Sequence, residues 1–86
     1  MTKEELKQHV LKTIDENKDL ILNIGREIYK NPEFGYKEFE TTKRVANFLK
    51  NELNLEPETN IAYTGCRARL NSEKTGPKIA ILGELD

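Results

Sequence analysis

Apolar residues in the first third of the chain recur at the spacing of one face of an α-helix. The residues that share this spacing are Leu6, Val10, Ile14, Ile21, Ile24 and Ile28. Their steps of three, four and seven residues match a period of 3.6, so a long helix is predicted here. Thr2 is a suitable N-cap, and Glu5 three residues later completes a capping box. The polar run at 15–19 predicts a bend or a restart, with Asp19 as a second cap. Pro32 ends the helix because it disfavours the α conformation in the residue before it.

A second helix is predicted from about Tyr36 to Asn51. Its spacing predicts a buried face made of Phe39, Thr42, Val45, Ala46 and Leu49. Leu53 lies just beyond the predicted end. Asn54 tolerates a left-handed backbone and is a suitable stop, and Pro57 excludes further helix.

The last third of the chain changes to the period of a β-strand. Small or apolar residues alternate with arginines in the order Cys66, Arg67, Ala68, Arg69 and Leu70. This alternation predicts a strand with one buried face. A short strand is also predicted within 59–63, and 71–77 form a polar loop. The apolar run that begins at Ile79 predicts a strand over 78–86 that is covered on both faces.

These elements predict an α/β fold, with two N-terminal helices followed by two or three strands. Helices would pack on one face of the sheet. Because the chain stops at Asp86, within the strand predicted to be most buried, we expect 1–86 to be an incomplete part of a single domain, with more polypeptide to follow.

Composition and charge narrow the classes of partner. The 86 residues include 14 basic and 15 acidic side chains, for a net charge of −1. This balance provides no field that would attract nucleic acid or an anionic membrane. The N-terminus lacks the apolar region of a signal peptide, and no apolar run is long enough to span a bilayer. Cys66 is the only cysteine, so no disulfide forms within the chain. A soluble, cytoplasmic protein is predicted.

Four residues stand at a spacing found in a known enzyme family: Pro32, Glu33, Glu38 and Thr41. The stretch 24–41 that contains them resembles the opening signature of the M20 metallopeptidase family. It is most similar to the amidohydrolase branch, whose members include aminobenzoyl-glutamate, N-acyl-amino-acid and auxin-conjugate hydrolases. That branch usually has His-x-x-Pro-Glu-x-x-x-x-Glu-x-x-Thr here, and Tyr29 departs from it by replacing the histidine.

Two later segments extend the resemblance over nearly the whole chain. Thr64-Gly65-Cys66 resembles the family's Thr-Gly step into a strand. Gly76-Pro77 followed by 79–86 resembles its Gly-Pro-x-Ile-Ala strand, which ends in an acidic-x-Asp motif. The resemblance implies the start of an α/β/α catalytic domain that hydrolyses amide bonds of small-molecule or peptide substrates.

The same resemblance implies one or two divalent metals, usually zinc or manganese, in the intact protein. In the amidohydrolase branch the metal ligands and the general-base glutamate lie downstream of the strand that ends this sequence. No metal ligand and no cofactor-binding residue is therefore expected within 1–86. The segment alone is expected to be inactive, and the intact protein could form a homo-oligomer.

Asp86 is the one catalytic candidate within the chain. A carboxylate at the C-terminal end of a buried strand lies where open α/β sheets place their ligand crevice. By resemblance, Asp86 would stand beside the metal centre and hold a ligand or tune the bound water. Glu84, two residues earlier, would share its face of the strand. We expect Glu84 to form a salt bridge with a nearby lysine or arginine rather than to act in catalysis.

The remaining candidates have structural explanations. Glu33 and Glu38 flank the start of the second helix, where negative charge is favourable. Cys66 is expected to be a small core side chain. His9 lies at the polar border of the first helix and is expected to be partly solvated beside Leu6.

Two other functions are considered: nucleic-acid binding and a non-catalytic interaction module. Tyr63 and the arginines of the last third could contact nucleic acid. The acidic residues around them instead favour the solvated face of a hairpin. A different class of function is also open: a non-catalytic helix–sheet interaction module. Such a module would dimerise or pair through its terminal strand.

Overall fold

The computed structural model describes all 86 residues, which divide into two compact units, Met1–Lys30 and Asn31–Asp86. The first unit contains α1 (Lys3–Glu16) and α2 (Lys18–Lys30). The second contains α3 (Phe39–Asn51), β1 (Glu58–Ile61) and β2 (Gly65–Arg67). Helices followed by a small sheet are compatible with the predicted α/β class. The long first helix is thus two helices.

The break between α1 and α2 lies at Asn17, within the polar run that predicted a bend. Its backbone has φ −106° and ψ 14°, outside the helical region. Its side-chain amide donates to Thr13 O at 2.8 Å, which competes with regular helical bonding. Its carbonyl accepts from Ile21 N at 3.0 Å and so begins α2. The predicted cap at Asp19 is therefore wrong, because Asp19 already lies in the first turn of α2.

The start of α1 follows the prediction. The Thr2 hydroxyl accepts from Glu5 N at 3.1 Å, which satisfies one of the free amides of the first turn. Glu4 and Glu5 place negative charge at the positive end of the helix dipole. The apolar stripe has the predicted helical period, yet Leu6, Val10 and Ile14 each remain about half exposed. No side chain of α1 or α2 is buried.

In the second unit α3 packs against both strands of an antiparallel hairpin. The helix begins at Phe39, three residues later than predicted, because 34–37 form a turn in which Lys37 N donates to Phe34 O at 2.9 Å. It ends at Asn51 as predicted. Asn54 follows with φ 55°, the left-handed conformation expected of it.

The hairpin is short and irregular. β1 and β2 pair Glu58 with Arg67 and Ile61 with Gly65, with a bulge between the two pairs. Gly65 is required by a close approach: a Cβ there would lie 2.7 Å from Ile61 O. The turn of the hairpin includes Ala62 and Tyr63, both at positive φ.

One strand prediction is confirmed only in part, and another is wrong. β2 ends at Arg67, so the alternation through Leu70 does not continue as strand, and 78–86 contain no strand at all. A strand exists only when a neighbour accepts and donates its ladder bonds, and no described element pairs with either segment. Ile81 is 95% exposed, where burial on both faces was predicted.

The interior of the second unit is polar. Its buried residues are Glu38, Thr41, Thr42 and Thr64, and no apolar side chain of the chain is buried. Of the buried face predicted for α3, Thr42 is confirmed, while Phe39 is 55% exposed and its other members are half-buried. No helix has the length and apolar character needed to cross a membrane.

Candidate functional site

Glu33 caps α3 from outside the helix. Its Oε1 accepts from Thr41 N and from the Thr41 hydroxyl, both at 2.6 Å, and its Oε2 accepts from Glu40 N at 3.2 Å. These donors favour the charged form, so the Thr41 hydroxyl and then the Thr41 amide hold the pKa of Glu33 below its usual range. The Glu40 amide and the Arg44 charge add to the lowering, against partial desolvation. The prediction that Glu33 serves the helix terminus is confirmed.

Glu38 is the N-cap residue of α3, but its side chain makes no capping hydrogen bond. Its side chain is only 7% exposed, and its Oε2 accepts a short hydrogen bond from the Thr64 hydroxyl, 26 residues later in the chain. Glu38 thus places negative charge at the start of α3, as expected, but its hydrogen bond goes to another part of the chain. Glu38 joins the start of α3 to the turn of the hairpin, because burial of a carboxylate requires a hydrogen-bond donor.

Thr42 strengthens the same junction. Its hydroxyl lies 2.7 Å from Glu38 O and 2.5 Å from Thr64 O. One hydroxyl hydrogen serves one acceptor at a time, so the two carbonyls share this donor. Glu38, Thr42 and Thr64 are hereafter called the Glu38 cluster.

Asp86 comes to the Glu38 cluster from the end of the chain. A Cβ placed on Gly35 would lie 3.7 Å from Asp86 Oδ2 and 3.7 Å from Glu38 Oε1. The two carboxylates therefore face the same side of Gly35, although Asp86 is 48 residues from Glu38 in sequence. Asp86 itself is exposed. The combination offers a solvent-accessible carboxylate beside a buried one.

Two tyrosines flank the Glu38 cluster. Tyr36 precedes Glu38 by two residues, and Tyr63 precedes Thr64. Their rings contact edge to face, with centroids 6.5 Å apart and planes at 76°. Both residues have positive φ, 62° for Tyr36 and 86° for Tyr63, which is rare for bulky side chains.

Arg44 introduces positive charge one turn into α3. Its Nη1 is buried and has no hydrogen-bond partner, although its charge acts on Glu33. The sequence pattern gave no signal for this residue. The pattern also gave no role to Thr64 or Thr42 as hydrogen-bond donors. The one indication was that Thr42, a polar residue, lies on the predicted buried face of the helix.

The other candidate residues lie apart from this site. Glu84 forms no ion pair, so its predicted salt bridge is wrong. His9 is exposed on α1, as expected. Cys66 is half-buried, and burial raises the pKa of its thiol, which agrees with a structural role. No three histidine, cysteine or acidic side chains converge in a way that could hold a metal ion.

The arginines of the last third are explained by the hairpin. Arg67 Nη2 lies 2.7 Å from Glu58 Oε2 across the two strands, and both side chains are about half exposed. This ion pair lowers the pKa of Glu58. Arg69 lies beyond β2 and is exposed.

The chain is similar in sequence to curated proteins that are named as hydrolases. It is 31% identical over 83 residues to thermostable carboxypeptidase 2 of Saccharolobus solfataricus, which covers 95% of this chain and 21% of the relative. It is 30% identical over 66 residues to N-acetylcysteine deacetylase of Bacillus subtilis, covering 77% of this chain and 17% of the relative. The chain thus spans about a fifth of the length of the curated relatives it matches. No family model matches the chain, and no solved structure matches it.

Proposed function

We propose that this chain is the N-terminal part of the catalytic domain of an M20-type metal-dependent amidohydrolase. The intact protein would cleave the C–N amide bond of N-acyl or aminobenzoyl amino acids. Sequence similarity to a carboxypeptidase and to a deacetylase supports a hydrolase that acts on small amides or peptides. The segment 1–86 alone would be inactive.

One structural observation carries this proposal. The residues that resemble the family signature are those that the structure gathers: Glu33 and Thr41 form the cap of α3, and Glu38 forms the buried bond with Thr64. Asp86, which ends the acidic-x-Asp motif, lies against Gly35 beside Glu38. The proximity of the first and last motifs of the chain supports the proposal.

The divalent metal that the family implies does not fit residues 1–86. His9 and Cys66 lie in different units, and no group of three potential ligands occurs. Zinc or manganese would bind to residues of the intact protein other than 1–86. Asp86 would act as a positioning residue: an exposed carboxylate next to a buried hydrogen-bond network is suited to orient a neighbouring imidazole or water.

The test uses the intact protein and two matched substitutions. Purified protein is assayed for release of free amino acid from N-acetyl and N-benzoyl amino acids, before and after chelation and addition of Zn²⁺ or Mn²⁺. Asp86→Asn should lower kcat by roughly 10- to 100-fold, the usual effect of losing a residue that orients a metal ligand. Glu84→Gln, two residues away and unpaired, is the control and should retain activity.

Two outcomes would contradict the proposal. Intact protein that hydrolyses none of these amides, with or without added metal, would remove the amidohydrolase assignment. Equal activity of Asp86→Asn and the wild type would contradict the role of Asp86 but not the amidohydrolase assignment. Metal content measured on each variant separates loss of metal from loss of orientation.

A non-catalytic interaction module is the second candidate, and one observation favours it. Ile79, Ile81 and Leu82 are 87–95% exposed, so the apolar segment has a free surface for another strand. Light scattering after size exclusion distinguishes the two. A defined dimer with cooperative melting and no amidase activity would support the module.

A further inference from the structure

Tyr36 and Tyr63 together form an exposed aromatic surface at the edge of the Glu38 cluster. Tyr36 is 73% exposed and Tyr63 is 72% exposed, although each ring is large and mostly apolar. Their edge-to-face contact leaves aromatic surface accessible to a third group. A contiguous exposed aromatic surface next to polar residues is a candidate for ligand binding.

Both tyrosines have a strained backbone conformation, with positive φ. Positive φ is disfavoured for side chains with a Cβ, and it persists only where surrounding bonds determine the conformation. Here those bonds are known: Lys37 N to Phe34 O closes the turn that carries Tyr36. The bond from Thr64 to Glu38 fixes the turn that carries Tyr63. Each ring therefore lies on or beside a segment that a hydrogen bond holds, and Glu38, two residues after Tyr36, is bonded to Thr64, the residue after Tyr63.

We propose that Tyr36 and Tyr63 contact the apolar or aromatic acyl group of the amide substrate, an inference that rests on the proposed function. Charge decides which end of an N-acyl amino acid binds here. The amino-acid end carries a carboxylate, which Glu38 and Asp86 would repel. The uncharged acyl end meets no such repulsion and gains from stacking or edge contacts with the rings. The tyrosine pair would thus set acyl-group preference.

The experiment compares two substrates that differ only in the acyl group, an N-benzoyl and an N-acetyl derivative of one amino acid. In the intact protein, Tyr36→Ala and Tyr63→Ala should each raise KM for the benzoyl substrate roughly five- to tenfold, as expected for one lost aromatic contact. KM for the acetyl substrate should change less than about twofold on the same grounds. Tyr36→Phe keeps the ring and should behave as the wild type.

Phe34→Ala is the matched control, because Phe34 is an 84% exposed aromatic residue in the same turn without a contact to Tyr63. It should leave both KM values unchanged. Binding of the benzoyl compound is also measured by calorimetry on metal-depleted intact protein, so that no hydrolysis occurs during the titration. Melting curves of each variant detect loss of stability. A merely structural effect would lower the melting temperature and raise KM for both substrates equally.

The outcomes separate this inference from the proposed function. Wild-type hydrolysis of both substrates with no selective effect of either tyrosine variant would overturn the inference alone. A wild type that neither hydrolyses nor binds either compound would overturn both. Resistance of both tyrosines to nitration in the free intact protein would mean that other polypeptide covers the rings, and would also overturn the inference.

Discussion

The bond between Thr64 and Glu38 gives the sharpest test of how the second unit is organised. Replacing Thr64 by Val keeps the shape of the side chain and removes the hydroxyl donor. Glu38 would then be a carboxylate that is 93% buried and has lost its only side-chain donor. Thr42 cannot replace that donor, because its hydroxyl already serves the carbonyls of Glu38 and Thr64.

The expected cost follows from the type of bond. Hydrogen bonds to charged groups contribute about 1.5–3 kcal/mol, and leaving the buried acceptor unpaired costs at least as much. The opening of this region should therefore be roughly 10- to 150-fold more frequent, since each 1.4 kcal/mol is a factor of ten. Thr64→Ser retains the hydroxyl and loses only a methyl group, so it is the matched control.

The assay is hydrogen exchange followed by mass spectrometry on the intact protein, with urea unfolding as a second measurement. Peptides that cover 34–42 and 60–67 should exchange faster in Thr64→Val, whereas α1 should be unchanged. Serine should restore most of the protection. Equal losses in the Val and Ser variants would show that the methyl group matters more than the hydrogen bond, and unchanged exchange in Thr64→Val would refute the reasoning altogether.

Two further predictions concern single residues. Gly65→Ala should destabilise the protein by about 1–3 kcal/mol in urea unfolding, because the added Cβ overlaps Ile61 O; Gly25→Ala, in the middle of α2 with open space around it, should instead stabilise by about 0.5–1 kcal/mol. Glu33 has a pKa below 4.5 in the folded chain, so its contribution to stability is present above about pH 4.5 and is lost as the pH falls through the lower folded value. Glu33→Gln should therefore melt at a lower temperature than the wild type at pH 7, with the difference shrinking in acid; a constant difference between pH 7 and pH 3 would contradict this.

The helices could be predicted from sequence because their information is local. The apolar period, the Thr2 cap and the stop before Pro32 all act within a few residues. The break at Asn17 was predicted from the polar run, but the choice between Asn17 and Asp19 depends on which side chain reaches the preceding carbonyls. Sequence spacing alone does not decide that.

The strands were harder to predict because their bonds come from elsewhere in the chain. The apolar run at 79–82 has the composition of a buried strand, yet composition provides no partner. Similarly, the 26-residue separation between Glu38 and Thr64 hides their bond from any local pattern. Negative charge near the start of α3 was correctly expected, but only the structure distinguishes the capping carboxylate of Glu33 from the bridging one of Glu38.

The hydrogen bonds also decide which motif carboxylate remains available for chemistry. Both oxygens of Glu33 are engaged by donors of α3, so this residue has a structural role. Glu38 commits Oε2 to Thr64 and directs Oε1 towards Gly35. Asp86 lies on the same side of Gly35. Its side chain is exposed, and no donor forms a hydrogen bond to its carboxylate. A carboxylate that no local donor occupies is free to bind another group, and this supports the proposal that Asp86, rather than either glutamate, has the catalytic role.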